Sequence, residues 1–307
     1  MTRSHRRQLA ALMLAAVVPL AGCGTPGGSV SGSASGKLQV VAAENFWGSI
    51  AAQLGGARVT VSSVIADPNS DPHSYEPTAS DGVAFARSQI AIVNGIGYDP
   101  WASQLVAANQ SSGRLVLDVG GLLGLKAGDN PHQWYSPSSV LRVIDQIVVD
   151  YKRLDPTDGP YFEERRKAFE RTGLAEYDRL RSEIRARYAG VPVGYSESVF
   201  RPLGESLGLK LMTPYSFAKA IAEGTDVSAQ DKQTVDRQAE TRAIRVWVYN
   251  SQNATPDVQR VNQLAREAHI PIATITETLA PASVTFEQWQ SAQLRRLLSA
   301  LHQATGR

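Results

Sequence analysis

The sequence predicts an α/β protein in which two parallel sheets, one in each half of the chain, are joined by one long connecting helix. Strand-like and helix-like segments alternate from residue 38 to residue 118, and the alternation returns after residue 190. Such alternation is typical of parallel sheets. The helical pattern between the two runs is much longer than an average helix. Because open parallel sheets bind ligands beyond the carboxyl ends of their strands, we expect a ligand site between the two lobes.

Residues 1–23 have the pattern of a secretory signal peptide. Cationic residues at the start precede an apolar stretch, Leu9–Leu20, which is too short to span a bilayer comfortably. The following Leu20-Ala21-Gly22-Cys23 resembles the bacterial lipobox, in which the cysteine is acylated and becomes the mature N-terminus. We therefore predict a lipid anchor at Cys23. The alternative is an ordinary signal peptide that is cleaved near an unmodified cysteine.

Residues 24–36 consist almost entirely of glycine, serine, threonine, alanine and proline. Such a segment buries too little apolar surface to fold, so we interpret it as a flexible tether. An N-terminal α/β lobe is expected at residues 37–155. Its predicted strands are Leu38–Ala43, Val59–Ile65, Ile90–Val93 and Leu115–Asp118, and its predicted helices are Trp47–Leu54, Asp81–Ser88 and Pro137–Leu154.

Residues 156–189 are expected to form the connecting helix. After a break at residues 156–160, large apolar residues recur at helical spacing as far as Ile184, with arginine and glutamate between them. A helix of this length suggests a rigid strut. The C-terminal lobe, residues 190–307, has predicted strands at Val191–Tyr195, Ala243–Tyr249 and Ile270–Thr276 and predicted helices at Pro256–His269 and Phe286–His302.

The composition is that of a globular protein, with 43% hydrophobic and 20% charged residues among 307. The 31 basic residues nearly balance the 29 acidic ones, so the net charge of +2 gives no reason to expect a nucleic-acid partner. Cys23 is the single cysteine, which excludes an intrachain disulfide and a cysteine-based zinc site.

Two histidines occupy loop positions that suit a ligand. His73 and His132 each follow a proline directly, and each comes after a predicted strand. Proline fixes the backbone just before the side chain. On residue chemistry alone, exposed polar residues and metal ligands both remain open for this pair. We interpret His269, at a helix end, and His302, near the chain end, as structural or solvated.

Several blocks of the sequence resemble a known family. Ala43–Trp47, Asp71–Thr78 and Asn94–Asp99 are similar, in that order, to blocks of the zinc and manganese solute-binding proteins of ABC importers. Asn130–Trp134 resembles the second histidine block of that family, and Leu154–Tyr161 resembles the start of its connecting helix. The likeness runs over nearly the whole mature chain.

The resemblance implies four metal ligands, two from each lobe. The first two match His73 and His132. The third matches Glu197, where zinc-type members commonly carry histidine and manganese-type members glutamate. The fourth is usually an aspartate after the last core strand, and this chain offers Glu277 there. Two imidazoles and two carboxylates suit Mn²⁺, Fe²⁺ or Zn²⁺ better than metals that seek thiolates.

The choice between Mn²⁺ and Zn²⁺ remains open, with a slight preference for manganese. Two carboxylates favour the harder ion, and residues 109–130 contain no histidine, whereas many zinc-specific relatives have a histidine-rich loop. The general affinity order instead places Zn²⁺ above Mn²⁺. Because the ligands must be deprotonated, binding should weaken as the pH falls toward the histidine pKa.

The resemblance implies a monomeric lipoprotein on the extracytoplasmic face of a bacterial membrane, which hands its metal to an ABC importer permease served by a separate ATPase. Two alternatives stay open. One is a surface adhesin or structural lipoprotein with a degenerate metal site, and the other is a metal-dependent hydrolase. We expect no enzyme activity, because the chain lacks the His-Glu-x-x-His and Gly-x-Ser-x-Gly patterns and the phosphate-binding loop.

Overall fold

Two parallel sheets of four strands each organise the part of the chain that the structure, a computed structural model, describes, namely residues 36–70, 72 and 74–307. The N-terminal sheet contains β1 (Leu38–Glu44), β2 (Val59–Ile65), β3 (Ile90–Val93) and β4 (Leu115–Asp118). The C-terminal sheet contains β5 (Pro192–Tyr195), β6 (Lys210–Leu211), β7 (Val246–Asn250) and β8 (Ile272–Ile275). The predicted α/β class with two parallel sheets is confirmed. The predicted signal peptide and the tether up to Ser35 lie outside the described residues.

The two sheets have the same topology. Their strand orders are β2-β1-β3-β4 and β6-β5-β7-β8, and every pair is parallel. In the first sheet Val40 lies between Val61 on one side and Ile90 on the other. The central strands are apolar on both faces and almost wholly buried, as expected where helices cover both sides of a sheet.

The helices of the N-terminal half are α1 (Asn45–Gly55), α2 (Ala79–Arg87), α3 (Pro100–Ala108), α4 (Val119–Leu123) and α5 (Pro137–Leu154). Then come α6 (Gly159–Ala168) and α7 (Ala175–Tyr188), and the C-terminal half adds α8 (Arg201–Ser206), α9 (Tyr215–Ala222), α10 (Ala229–Glu240), α11 (Pro256–Glu267) and α12 (Phe286–Thr305). Within the described residues, no helix combines the length and the apolar character that crossing a bilayer requires.

The segment predicted as the connecting helix is helical from Gly159 to Tyr188, with one irregularity. A π-helical turn, Phe169–Gly173, lies between α6 and α7, and the amide of Leu174 donates to the carbonyl of Phe169 at 2.8 Å. A Cβ on Gly173 would lie 2.9 Å from the Phe169 ring, so glycine lets that buried ring pack against the turn. The prediction of one continuous helix is therefore wrong, because the segment forms two helices in succession, α6 and α7, with a wider turn between them.

One hydrophobic cluster joins the two halves. It contains Val40 of β1, Ile184 of α7, Val248 of β7 and Trp289 of α12, all buried. The long helix α12 packs along α7. Because the core is shared, the carboxyl ends of the strands in both sheets are held close to one another, and the site lies there. The predicted lobe boundaries at residues 155 and 190 stay predictions.

Candidate metal centre

Three of the four ligands suggested by the resemblance lie together. One donor atom each of His132, Glu197 and Glu277 can be chosen so that all three lie within 4.8 Å of one another. The Nε2 atom of His132 is 3.4 Å from Oε1 of Glu277. The three residues are almost fully removed from solvent, with relative exposures of 0%, 1% and 7%. Buried carboxylates are rare unless they are paired or bind a metal, so this cluster points to an ion.

His132 reaches the cluster from the loop between β4 and α5. It lies immediately before a 3₁₀ turn, Gln133–Tyr135, and the Pro131 ahead of it restricts the backbone. The side-chain oxygen of Asn130 accepts from the His132 amide at 3.1 Å and from its Nδ1 at 2.8 Å. The Asn130 amide nitrogen donates to the carbonyl of Ser198 at 2.9 Å, which fixes that orientation of the carboxamide. The proton therefore sits on Nδ1, and Nε2 faces the two carboxylates as a donor atom for metal.

Aromatic rings hold the His132 imidazole on its other sides. Trp134 and Tyr98 meet it edge to face, with ring centroids at 5.2 Å and 5.8 Å. Both aromatic residues are fully buried. The two rings therefore restrict the rotation of the imidazole.

Glu197 and Glu277 come from the C-terminal half. Glu197 has an extended backbone just after β5, ahead of a 3₁₀ turn at Ser198–Phe200. Glu277 lies in the turn after β8. The side-chain amide of Asn250, the last residue of β7, donates to Oε2 of Glu197 at 2.8 Å and to Oε2 of Glu277 at 3.3 Å. One neutral donor thus bridges two acidic groups, which would otherwise repel each other.

Two further contacts orient Glu277. The hydroxyl of Tyr98 donates to its Oε1 at 2.8 Å, and burial followed by the charge of Glu277 raises the pKa of Tyr98 well above its ordinary value, so the hydroxyl keeps its proton. The side-chain oxygen of Gln252 accepts from the backbone amides of Glu277 and Thr278 at 2.6 Å and 3.0 Å. The turn that presents this carboxylate is therefore held at both its side chain and its backbone.

A second buried carboxyl pair lies near the cluster and consists of Glu44, at the end of β1, and Asp99, just before α3. Burial, followed by the neighbouring Asp99, raises the pKa of Glu44 well above its ordinary value. Burial also raises the pKa of Asp99 to about 6, although the backbone amides of Asn94 and Gly95 donate to it at 2.7 Å each and oppose the rise. This carboxyl pair therefore holds a proton, whereas the clustered residues offer donor atoms to a cation.

A cleft of about 400 Å³ leads from solvent to the cluster. One wall belongs to the loop between β2 and α2 and includes Pro68 and Ser70. The opposite wall includes Glu223, Gln252 and Glu277. Of the three clustered residues, Glu277 is the one that lines this cleft, so a metal approaching by this route meets its carboxylate first.

The remaining predicted site residues are not part of this geometry. His73 and Cys23 lie outside the described residues, so both stay predictions. Sequence reasoning missed Asn250, Gln252 and Tyr98 as contacts of the cluster. The available signal for two of them was position: Asn250 directly follows the predicted strand Ala243–Tyr249 and Gln252 comes shortly after it, at the carboxyl end where ligands bind.

Comparison with known proteins identifies the family. Residues 40–300 match the family described as zinc-uptake complex component A, periplasmic (ZnuA). The chain is 26% identical over 198 residues to the manganese-binding lipoprotein MntA of Halalkalibacterium halodurans, a match that covers 61% of this chain and 63% of that protein. It is 23% identical over 282 residues to the manganese ABC transporter substrate-binding lipoprotein PsaA of Streptococcus pneumoniae, covering 85% and 86% respectively.

Among solved structures, the fold is similar to that of the Mn-bound periplasmic metal binding protein from Candidatus Liberibacter asiaticus. The TM-score is 0.71 at 19% sequence identity, and the match covers 86% of this chain and all of the other. The family consists of transport proteins and not of enzymes, which removes the hydrolase alternative. Since the family match spans most of the residues and the fold agrees with it, this chain belongs to the ZnuA family of extracytoplasmic, metal-binding solute-binding proteins of ABC importers.

Proposed function

We propose that this protein captures a divalent transition metal outside the cytoplasm and delivers it to the permease of an ABC importer. The observation that carries the proposal is the buried convergence of His132, Glu197 and Glu277 from three separate segments of the chain. One imidazole and two carboxylates match the charge of a divalent ion and its preference for nitrogen and oxygen. Enclosure by protein ligands favours capture, whereas catalysis would need an open coordination position.

His73 completes the proposed ligand set. It follows Pro72 in the loop between β2 and α2, and the neighbouring residues Pro72 and Ser74 line the cleft. A fourth ligand from the N-terminal half would give two imidazoles and two carboxylates, two from each half. We infer that residues 37–155 and 190–307 are the two lobes that supply them, joined by residues 156–189.

Mn²⁺ and Zn²⁺ are the two candidate cargoes, with Fe²⁺ a third. Two carboxylates in the cluster favour Mn²⁺, and several relatives are named for manganese. The general order of affinities favours Zn²⁺ at nitrogen and oxygen sites. We favour Mn²⁺ because both ligands from the C-terminal half are carboxylates.

The proposed partners are the membrane and the permease. An acylated Cys23 would anchor the protein, and the tether would let a monomer reach a permease whose ATPase is a separate polypeptide. Substitution of Cys23 by serine should release the protein from the membrane fraction. Retention of Cys23→Ser in the membrane would contradict the anchor.

Thermal unfolding of residues 24–307, stripped of metal, tests the capture function. Mn²⁺, Zn²⁺ and Fe²⁺ are added in turn to the native protein and to Glu197→Gln and His132→Ala. A ligand at about a hundred times its Kd adds roughly 2.7 kcal/mol of stability if it binds only the folded state. We expect such a gain in the native protein and its loss in both variants.

The matched control is Glu223→Gln, which removes a carboxylate from the cleft wall without touching the cluster. It should respond to metal as the native protein does. A well-folded native protein that gains no stability from any of the ions would contradict metal capture and favour the adhesin with a degenerate site.

A further inference from the structure

The side chain of Gln252 lies where the two walls of the cleft come together. Its amide nitrogen donates to the carbonyl of Pro68, on the β2–α2 loop, at 2.6 Å. The two residues are 184 positions apart in the chain. The same nitrogen also donates to Oγ1 of Thr278 at 3.0 Å. This carboxamide therefore connects the N-terminal half to the turn that carries Glu277.

The other end of the carboxamide holds the Glu277 turn itself. Oε1 accepts from the backbone amides of Glu277 and Thr278 at 2.6 Å and 3.0 Å. Two backbone donors on one atom and a carbonyl acceptor on the other allow a single orientation of the amide, because flipping it would place donors against donors. Gln252 uses its acceptor for the ligand turn and one of its two donors for the opposite wall.

The position of this bridge matters for metal exchange. His132 and Glu197 are almost completely buried, and Glu277 is the clustered residue that lines the cleft. A metal that enters or leaves by the cleft passes between the β2–α2 loop and the Glu277 turn. The bond from Gln252 to Pro68 spans those two segments.

We propose that Gln252 is a positioning residue that holds the Glu277 turn in its ligand geometry and latches the β2–α2 loop across the cleft, so that metal exchange requires the Gln252–Pro68 bond to open. The inference rests on the proposed metal capture. It assigns separate tasks to the two ends of one side chain: the oxygen supports affinity, and the nitrogen controls the rate of exchange.

Two substitutions separate these tasks. Gln252→Glu keeps an oxygen that accepts from the two backbone amides but removes the donor to Pro68. Gln252→Met keeps the length of the side chain and removes both. The control is Asn253→Ala, because Asn253 is a carboxamide on the same cleft wall whose amide donates to the carbonyl of Ile221 and not to the ligand turn.

The measurement is the rate of Mn²⁺ and Zn²⁺ release from loaded protein (residues 24–307) into excess chelator, together with the Kd and the thermal midpoint of the metal-free form. In Gln252→Met we expect a Kd weakened about tenfold, the usual scale for a residue that orients a ligand. Its release should be accelerated by more than about tenfold, because loss of the latch makes uptake faster as well. In Gln252→Glu we expect faster release with faster uptake and a smaller change in Kd. The added negative charge would by itself slow release of a cation, so faster release cannot come from the charge.

The outcomes separate this inference from the proposed function. Native protein that binds none of the metals contradicts the function itself. Native protein that binds, with release from both Gln252 variants unchanged within twofold, overturns the latch. Equal acceleration in Asn253→Ala also overturns it, as does a lower thermal midpoint without any change in release, since a merely structural residue would give that result.

Discussion

The two halves of the molecule have the same strand order, and each has a glutamate near the carboxyl end of a central strand. The two glutamates have different neighbours and different roles. In the N-terminal sheet β1 lies between β2 and β3, and in the C-terminal sheet β5 lies in the same way between β6 and β7. Glu44 is the last residue of β1, and Glu197 lies two residues beyond the end of β5. Both side chains are buried at the carboxyl end of a central strand, where parallel sheets bind their ligands.

Their neighbours decide their roles. Glu44 lies beside Asp99, so two acidic groups share a buried space and burial keeps the pKa of Glu44 high. Glu197 instead lies near the imidazole of His132 and receives the Asn250 amide. The shared topology brings a carboxyl group to the carboxyl end of a central strand in both sheets, and the neighbouring groups determine whether it keeps a proton or is available to a cation.

The largest expected effect is on metal affinity. Glu197→Gln removes a metal ligand and should weaken Mn²⁺ binding by at least about 100-fold. That is the upper end of the loss in affinity found when a residue that only orients a ligand is removed. Glu44→Gln should change affinity by less than about threefold, since an uncharged amide replaces a protonated carboxyl. Isothermal titration of the two variants gives the comparison. Equal losses would mean that Glu44 belongs to the site.

A smaller effect is expected for two asparagines at the carboxyl ends of corresponding strands, Asn94 directly after β3 and Asn250 at the end of β7. Asn250→Ala should weaken metal affinity by about tenfold, because both carboxylates lose their shared donor. Asn94→Ala should mainly lower the free energy of unfolding, by about 1–3 kcal/mol, because the buried Trp47 nitrogen donates to Asn94 at 3.0 Å and would lose its partner. Urea unfolding and metal titration of both variants check this. An Asn94→Ala that loses affinity as strongly as Asn250→Ala would refute the contrast.

The smallest expected effect is on the pH dependence of stability. The pKa of Glu44 is raised in the folded state, so its protonation stabilises the fold below the ordinary glutamate pKa, and this contribution is lost as the pH rises through the raised folded value. Because glutamine does not titrate, Glu44→Gln removes this pH-dependent loss of stability. The metal-free variant should therefore be more stable than the native protein at pH 8 and similar to it at pH 4.

Urea midpoints measured at pH 4, 6 and 8 provide the test, with Glu223→Gln as an exposed control that should follow the native curve. A Glu44→Gln variant that is less stable than the native protein at pH 8 would show that the carboxylate form is the one the fold stabilises.

The local sequence pattern was sufficient to predict the helices and strands that have a clear periodicity of apolar residues. The bounds of β2, β3, β4 and α5 are those predicted from the sequence, because each is a continuous apolar run or a helical stripe between recognisable stops. Other elements were not predicted. The two-residue strand β6 is too short to show a period, and no helix was predicted for the segments that form α3, α4, α9 and α10.

The residues of the candidate metal centre also fall into two groups, those that the sequence indicated and those that only the tertiary structure revealed. The resemblance of the sequence to the family indicated His132, Glu197 and Glu277, because each matches a position at which the family carries a metal ligand. Only the tertiary structure showed that Asn250 bridges the two carboxylates and that Gln252 reaches Pro68. Periodicity depends on neighbours within a few residues, and so it can be read along the chain. Contacts between residues 27 to 184 positions apart arise only when burial of two sheets against shared helices brings their strand ends together.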